Sequence, residues 1–289
     1  METVRSATKL RELLRPEQAA GRVIGLVPTM GALHEGHLSL VRLARERSDV
    51  VVVSIFVNPL QFGAGEDFES YPRDDARDLA LANAEKVDVV FVPEVSEMYP
   101  EGDATRVSAG ALGEVLEGEA RPGHFDGVCT VVAKLFNLVA PDIAFFGQKD
   151  AQQIAVIKRM VADLRWPIEI VAGAIVREPD GLAMSSRNAY LSRQERKKAT
   201  VLYAALRTGR EAVESGEGIE NAEAKMMETI RAVEGVEAGY ARAVDPDDFG
   251  APRPGRPILL AVSARVGPAR LIDNLMVEDN MVVDDEGVR

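Results

Sequence analysis

The feature that most limits how this chain can fold is the run of residues 50–57, in which Ser54 is the only polar residue. A strand without alternation of polar and apolar residues has to be buried on both of its faces. Parallel sheets that are covered by helices on both sides offer that environment. Asn58 and Pro59 end the run. The chain is therefore predicted to contain a parallel α/β sheet.

Strand-like and helix-like segments alternate through the first part of the chain. Further apolar runs suited to strands are residues 23–27, 87–92, 143–146 and 168–175. The segments predicted as helices are residues 37–47, 74–86, 128–139 and 151–164. Alternation of this kind predicts a doubly wound α/β sheet with right-handed crossovers.

The pattern changes after about Val176, which we take as the start of a second, smaller α+β domain. A chain of 289 residues suits two domains of about 150 residues each. The predicted domains are therefore residues 1–175 and 176–289, and the acidic tail at 278–289 is expected to be loosely ordered. Within the second domain we predict helices at residues 193–215 and 221–233, strands at 237–244 and 258–266, and a loop at 245–257.

Charge and cysteine content exclude several classes of protein. A net charge of −12 is a poor match to a nucleic-acid binder, which usually carries a basic face. The single cysteine, Cys129, permits no disulfide within the chain, as suits a reducing cytoplasm. Residues 1–16 contain several charges and no long apolar run, so no secretory signal or membrane span is predicted there. We expect a cytoplasmic protein with neither nucleic acid nor membrane as a partner.

Two of the three histidines lie in residues 28–37, between the first predicted strand and the first predicted helix. Parallel α/β sheets bind ligands at this end of their strands. Gly31 and Gly36 allow the backbone to approach a ligand, and the first amides of a helix attract anions. His34 and His37 share one helix face, where they can hydrogen-bond to phosphate oxygens. Capping histidines or a pair of metal ligands are the alternatives, although a metal site would need a third strong ligand.

Polar side chains follow the run at residues 50–57. Asn58 and Gln61 stand at the carboxyl end of that strand, where side-chain amides can bind a small polar substrate, although Asn-Pro is also an ordinary turn. Tyr71 is a further candidate substrate contact. Acidic residues extend from there to Asp78, which is a candidate for holding Mg²⁺ beside the phosphates of ATP. Acids at a helix start are also favoured by the helix dipole alone, so this alternative stays open.

Three later segments carry candidate ligands. His124 in the loop at 121–127 fits equally well as a substrate-positioning residue or as an ordinary loop histidine. Lys149 lies between a strand and a helix and is a natural phosphate partner, and Gln153 is one helical turn further on. Residues 185–187 combine two hydroxyls with a guanidinium, which suits a polyphosphate. Capped helix starts or turns are the alternatives for the last two segments.

In chain order, these motifs resemble the pantothenate synthetase (pantoate–β-alanine ligase) family. The resemblance runs through residues 23–193 and returns at 269–274. That family belongs to the nucleotidylyltransferase superfamily, and its His-x-Gly-His signature is similar to residues 34–37 here. The resemblance implies a Rossmann-like first domain, a smaller C-terminal lid domain and a homodimer.

The resemblance also implies a reaction and a set of site residues. ATP, with Mg²⁺, and pantoate would form pantoyl adenylate, and β-alanine would then attack it to give pantothenate and AMP. By similarity, His37 is the catalytic acid and acts with His34 and Lys149. Gln61 would contact pantoate and β-alanine, and Gln153 would contact pantoate. The implied ATP-binding residues are Met30, Gly31, His34, His37, Gly147, Gln148, Lys149, Asp150, Val176, Met184, Ser185, Ser186 and Arg187.

Two other functions fit parts of the pattern. A nucleotidylyltransferase acting on another small acid or phosphate would share the histidine turn but would not need Gln61 and Gln153. A non-catalytic nucleotide-binding regulator would keep the glycines and tolerate loss of His37 or Lys149, both of which this chain has. The sequence contains neither G-x-G-x-x-G nor a P-loop, so no other nucleotide motif competes.

Overall fold

The computed structural model of the chain describes residues 1–278. The acidic tail that we predicted at 278–289 therefore lies outside the described residues, except for its first member. In this part of the chain, no helix combines the length and the apolar character that crossing a membrane requires. The chain divides into two compact units, Met1–Gln148 with Gln152–Val176, and Lys149–Ala151 with the chain from Arg177 onward.

The first unit is built on a sheet of six strands, all parallel. The strands are β1 (Glu2–Val4), β2 (Ile24–Thr29), β3 (Val50–Ile55), β4 (Val89–Phe91), β5 (Ile143–Gly147) and β6 (Glu169–Gly173). Their order across the sheet is β1-β4-β3-β2-β5-β6. The order reverses between β2 and β5, and open sheets of this kind bind ligands beyond the strand ends at such a switch point.

Helices pack on both faces of this sheet. They are α1 (Ala7–Ala19), α2 (Glu35–Arg47), α3 (Asp75–Ala84), α4 (Val95–Met98), α5 (Glu117–Ala120), α6 (His124–Val139) and α7 (Ala151–Asp163). Val50 and Val52 of β3 belong to one core, together with residues of α1, α6 and α7. Val51 and Val53 point to the other face and pack with residues of α2 and α3. The doubly wound sheet predicted from the apolar runs is thus confirmed.

The N-terminal region contains a strand and a helix that the sequence did not predict. Strand β1 has three residues, which is too short to show a period. Helix α1 has Pro16 in its interior and buries only Leu10 and Leu14, although Ser6 caps its start. Both elements are defined by packing against the rest of the unit, because their own sequences carry a weak pattern.

The second unit pairs three antiparallel strands with helices. The strands are β7 (Val236–Val244), β8 (Ile258–Val266) and β9 (Ala269–Val277), in that order across the sheet. The helices are α8 (Arg193–Ala199), α9 (Val201–Glu214) and α10 (Ile219–Arg231). Leu206, Met226 and Leu260 lie in the core that joins the helices to the sheet. This architecture confirms the predicted smaller α+β fold.

Two features of the second unit differ from the prediction. The single helix predicted at 193–215 is two helices, separated at Thr200, whose hydroxyl donates to the carbonyl of Lys197 at 2.8 Å. Such a side-chain bond competes with the helical pattern. Strand β9 was not predicted, because the polar residues Asp273 and Asn274 lie in it and are nevertheless buried.

Candidate active site

The turn between β2 and α2, together with the first turn of α2, carries both histidines of the predicted phosphate site. His34 is the N-cap of α2, and its Nδ1 accepts the amide of Gly36 at 3.2 Å. His37 accepts the amide of His34 through its own Nδ1 at 3.3 Å. The ring centroids are 4.1 Å apart. These reciprocal bonds form a capping box, so the local sequence holds both rings at the N-terminus of the helix.

The capping bonds decide which nitrogen of each imidazole carries the proton. A nitrogen that accepts an N–H has no proton of its own, so the neutral rings of His34 and His37 are protonated on Nε2. The Nε2–H groups and the helix dipole together favour an anion at this turn. Within residues 1–278, no group of three or more His, Cys, Asp and Glu side chains is arranged to hold a metal. The metal-pair alternative for the two histidines therefore finds no support.

Asp78 of α3 anchors the same turn from behind. It is 1% exposed, and its two oxygens accept the amides of Ala32 and Leu33 at 2.7 and 2.8 Å. Burial raises the pKa of Asp78, and the two amide bonds oppose that effect. These contacts give Asp78 a structural role. Its participation in Mg²⁺ binding stays a prediction and draws no support from this geometry.

Gly31 leaves the room that Asp78 needs. Its φ of +81° is in the region that favours glycine, and a Cβ at this position would lie 2.9 Å from Asp78 Oδ2 and 3.1 Å from Ile55 Cγ2. The glycine predicted to admit a ligand therefore also admits the carboxylate that holds the turn.

The 3₁₀ turn Pro59–Gln61, which follows β3, and its N-cap Asn58 bury two side-chain amides. Asn58 is 1% exposed and Gln61 is 8% exposed. Asn58 Nδ2 donates to Gln61 Oε1 and to the carbonyl of Gly127, each at 3.1 Å. Gln61 Nε2 in turn lies 3.1 Å from the sulfur of Met30 and donates to it. The predicted substrate amides and the predicted phosphate turn are thus in direct contact within one unit.

Tyr71, a further candidate substrate contact, is buried among aromatic rings. Its ring packs edge-on against Phe62, with centroids 6.0 Å apart. This packing stabilises the loop that follows the amide turn. A direct contact between Tyr71 and a substrate stays a prediction.

Arg121 and His124 support the backbone of Gln61. His124 Nδ1 and Arg121 Nη2 donate to the Gln61 carbonyl at 2.8 and 3.2 Å, and Arg121 Nη1 donates to His124 Nε2 at 3.1 Å. Because a guanidinium can only donate, Nδ1 is the protonated nitrogen of His124. Burial, together with the charge of Arg121, lowers the pKa of His124 to about 4. His124 is therefore neutral near pH 7 and holds the backbone of Gln61, while a substrate-positioning role for it stays a prediction.

Gly127 allows α6 to approach the amide turn, and we expect Gly127→Ala to disturb that turn. A Cβ there would lie 2.3 Å from the carbonyl oxygen of Leu60 and 2.6 Å from the amide nitrogen of Gln61. Because backbone has to move, the free energy of unfolding should fall by about 1–3 kcal/mol, measured by urea denaturation. Gly63→Ala is the matched control, since its nearest neighbour is 3.8 Å away. An unchanged urea midpoint for Gly127→Ala would contradict the close packing.

Two adjacent glutamines at the start of α7 have different surroundings. Gln152 Nε2 donates to the carbonyls of Leu112 and Val115 at 3.0 and 2.7 Å. Its Oε1 accepts the amide of Glu117 at 3.1 Å, so this side chain fastens a loop. Gln153, the predicted substrate contact, is half-buried, and its side chain makes no hydrogen bond in the described part of the chain. Its amide can therefore bond to a ligand, a difference that the sequence could not reveal.

Apart from Val176, the remaining predicted phosphate ligands lie on two segments, residues 147–150 and 184–187. Lys149 is half-buried, and its Nζ lies 3.6 Å from Asp150 Oδ1. Ser185 caps a short 3₁₀ turn by accepting the amide of Arg187 at 3.3 Å. The capped-turn alternative thus describes the local geometry of the second segment. Half-buried positions among the other predicted ligands are Gly147, Gln148, Val176, Met184 and Ser186.

A buried ion pair in the second unit braces parts of both segments. Arg177 binds the carboxylate of Asp273 through two bonds of 2.6 and 2.9 Å, and Asp273 is 3% exposed. Arg177 also pairs with Ala183 in an antiparallel bridge, directly before the second segment. Asn274 Nδ2 donates to the carbonyl of Lys149 at 2.9 Å. Sequence reasoning missed this arrangement, and the resemblance at 269–274 was the one signal that pointed to it.

Comparison with known proteins adds independent findings. The sequence profile of the pantoate-β-alanine ligase family matches residues 2–276. A pantothenate synthetase from Caldicellulosiruptor bescii is 51% identical over 280 residues, which cover 96% of this chain and 99% of the relative. One from Heliobacterium modesticaldum is 53% identical over 281 residues, covering 96% of this chain and all of the relative (100%).

Two solved structures are similar over nearly their whole length. The crystal structure of pantothenate synthetase from Thermus thermophilus has a TM-score of 0.89 at 50% identity and covers 95% of this chain and 99% of that chain. A pantoate-β-alanine ligase from Francisella tularensis, complexed with "Beta-gamma ATP" and β-alanine, has a TM-score of 0.79 at 33% identity. That match covers 96% of this chain and 97% of the other.

Proposed function

The chain belongs to the pantoate–β-alanine ligase family, and we propose that the turn between β2 and α2 binds ATP so that pantoate is adenylated at the α-phosphorus. The observation that carries the proposal is the contact between Gln61 and Met30, whose side chains are 3.1 Å apart. Met30 belongs to the phosphate turn, whereas Gln61 belongs to the turn after β3 that buries two side-chain amides. An acid held by Gln61 would therefore lie beside a phosphate held by the turn, and such proximity is a large part of catalysis.

In the first step, a carboxylate oxygen of pantoate forms a bond to the α-phosphorus. The bond from that phosphorus to the oxygen that bridges to the β-phosphate breaks, and pyrophosphate leaves. Negative charge gathers on the phosphoryl oxygens during this exchange. The Nε2–H groups of His34 and His37 and the first amides of α2 supply donors for that charge. By resemblance, His37 is the catalytic acid.

In the second step, the amine of β-alanine attacks the acyl carbon of the adenylate. A carbon–nitrogen bond forms, the bond between the acyl carbon and the phosphate oxygen breaks, and AMP leaves while the amine gives up a proton to the solvent. The adenylate is already activated, so this step needs no nucleophile from the enzyme. We propose that Gln61 and Gln153 hold the pantoyl group, because the Gln61 side-chain amide contacts Met30 of the phosphate turn and the Gln153 side-chain amide makes no hydrogen bond within residues 1–278.

We propose further phosphate ligands on two other segments of the chain. Lys149 and residues 184–187 carry the cations and hydroxyl donors that a polyphosphate requires. The ligase from Francisella tularensis is complexed with "Beta-gamma ATP" and β-alanine, which supports ATP and β-alanine as substrates of this chain. Mg²⁺ prefers oxygen ligands and keeps several waters. We propose that the ion enters on the phosphates of ATP. By the family resemblance we propose a homodimer, and from the single cysteine we propose a cytoplasmic location.

One assay tests the proposed reaction. The protein is incubated with ATP, Mg²⁺, pantoate and β-alanine, and the release of AMP is followed. If the protein is the ligase, AMP release should depend on both pantoate and β-alanine. Pyrophosphate release without β-alanine-dependent AMP would instead support a nucleotidylyltransferase acting on another small acid or phosphate. Tight ATP binding without turnover would support a regulator.

A further inference from the structure

Two backbone groups fix the orientation of the buried amide of Asn58. The amide of Leu60 can only donate, and it donates to Asn58 Oδ1 at 3.3 Å. The carbonyl of Gly127 can only accept, and it lies 3.1 Å from Asn58 Nδ2. If the Asn58 amide were turned over, its NH2 group would face the donor N–H of Leu60 and its oxygen would face the acceptor carbonyl of Gly127. Asn58 therefore has a defined polarity before any ligand binds.

Tyr99 strengthens that polarity with the shortest bond of the group. Its hydroxyl donates to Asn58 Oδ1 at 2.7 Å. Burial raises the pKa of Tyr99, so the hydroxyl keeps its proton and remains a donor. The ring is held by Lys134, whose Nζ lies 4.9 Å from the ring centre and donates to the carbonyl of Met98 at 2.9 Å.

The polarity is passed to Gln61. Asn58 donates to Gln61 Oε1, so Gln61 turns its oxygen back towards Asn58 and its Nε2 forward, towards Met30. Both lone pairs and both N–H groups of Asn58 are then in use. Asn58, which the sequence predicted as a substrate contact, thus has no hydrogen-bonding position left for a substrate.

We propose that Tyr99 and Asn58 are positioning residues, which aim an N–H donor of Gln61 at an acceptor oxygen of pantoate. The inference rests on the proposed function. The sulfur of Met30, which accepts this N–H, is a weak acceptor, and a carboxylate or hydroxyl oxygen bonds more strongly. If the Gln61 amide were reversed, it would present an oxygen to the anionic substrate and repel it.

Tyr99→Phe removes the hydroxyl and keeps the ring. The KM for pantoate should rise about tenfold, which corresponds to the upper end of the usual free energy of one hydrogen bond. The KM for ATP should stay within about twofold of the wild-type value. Thr130→Val is the matched control, because Thr130 is also buried in this unit and its hydroxyl accepts the amide of Val107 at 3.0 Å. It should lower stability without changing the KM for pantoate.

Asn58→Asp tests the polarity itself. A carboxylate at this position accepts a hydrogen bond and cannot donate one, so the Gln61 amide should reverse and donate its N–H to residue 58. The KM for pantoate should then rise more than it does in Tyr99→Phe. An unchanged KM for pantoate in a folded variant would overturn the inference, as would equal rises for pantoate and ATP. If the wild-type protein does not consume pantoate, the proposed function fails and takes this inference with it.

Discussion

Replacing His37 with alanine is expected to slow formation of the adenylate by at least about 100-fold, because one lost donor to a transition-state oxyanion costs about 3 kcal/mol. The imidazole has two functions in the structure. Its Nδ1 accepts the amide of His34 at 3.3 Å, and its Nε2 carries the proton that a phosphate would accept. Exchange of labelled pyrophosphate into ATP, with pantoate present and β-alanine absent, measures this first step alone.

Two further variants separate the two functions of His37. In His37→Asn, the side-chain oxygen is placed where Nδ1 accepts, so the helix cap is kept and the Nε2 donor is lost. In His37→Gln, the amide nitrogen reaches approximately as far as Nε2. We expect the Asn variant to have the unfolding free energy of the wild type but to exchange pyrophosphate as slowly as the Ala variant does. The Gln variant should recover part of the exchange rate. Wild-type exchange by a folded Asn variant would remove His37 from the mechanism.

Replacing Asp273 with alanine is expected to lower the free energy of unfolding by about 3 kcal/mol, because removal of one partner leaves the charge of Arg177 uncompensated. The pair is bidentate, and Arg177 also donates to the carbonyls of Gly181 and Asn274 at 3.0 and 3.2 Å. Burial raises the pKa of Asp273, and the bonds from Arg177 oppose that effect. Urea denaturation would measure the loss.

The Asp273 variant should also weaken ATP binding, since the pair braces the bridge before Met184 and its neighbour Asn274 holds the carbonyl of Lys149. Removing both charges, in Arg177→Met with Asp273→Leu, should restore most of the stability, because no buried charge is then left alone. Asp163→Ala breaks an exposed pair with Arg159 and serves as a control that should cost less than about 1 kcal/mol. Equal losses in the free energy of unfolding for Asp273→Ala and Asp163→Ala would contradict the role of burial.

The sheet could be predicted because burial leaves a strong mark on the sequence. Residues 50–57 lack alternation, and β3 is indeed buried on both faces. Strand β9 left no such mark, since Asp273 and Asn274 interrupt its apolar residues and find their partners elsewhere in the unit. Strand β1 was equally invisible, because three residues show no period.

The candidate site divides in a similar way. His34 and His37 could be placed at a helix start from their spacing, and the capping box there is a local contact. The contact between Gln61 and Met30 joins residues 31 positions apart, and no spacing predicts it. Gln152 and Gln153 are neighbours in the chain, yet the Gln152 side chain fastens a loop through three hydrogen bonds, whereas the Gln153 side chain makes none within residues 1–278. Only their positions on the folded helix separate the two.

Properties set by neighbours within about one helical turn could thus be read from the chain: the alternation of strands and helices, the histidine cap and the donor-rich segments. Properties set by distant groups could not. Asp78 anchors a turn 45 residues away, Tyr99 orients Asn58 across 41, and Asp273 binds Arg177 across 96. A polar side chain looks the same in a sequence whether it will face water or a buried partner, and folding alone brings that partner within hydrogen-bonding distance.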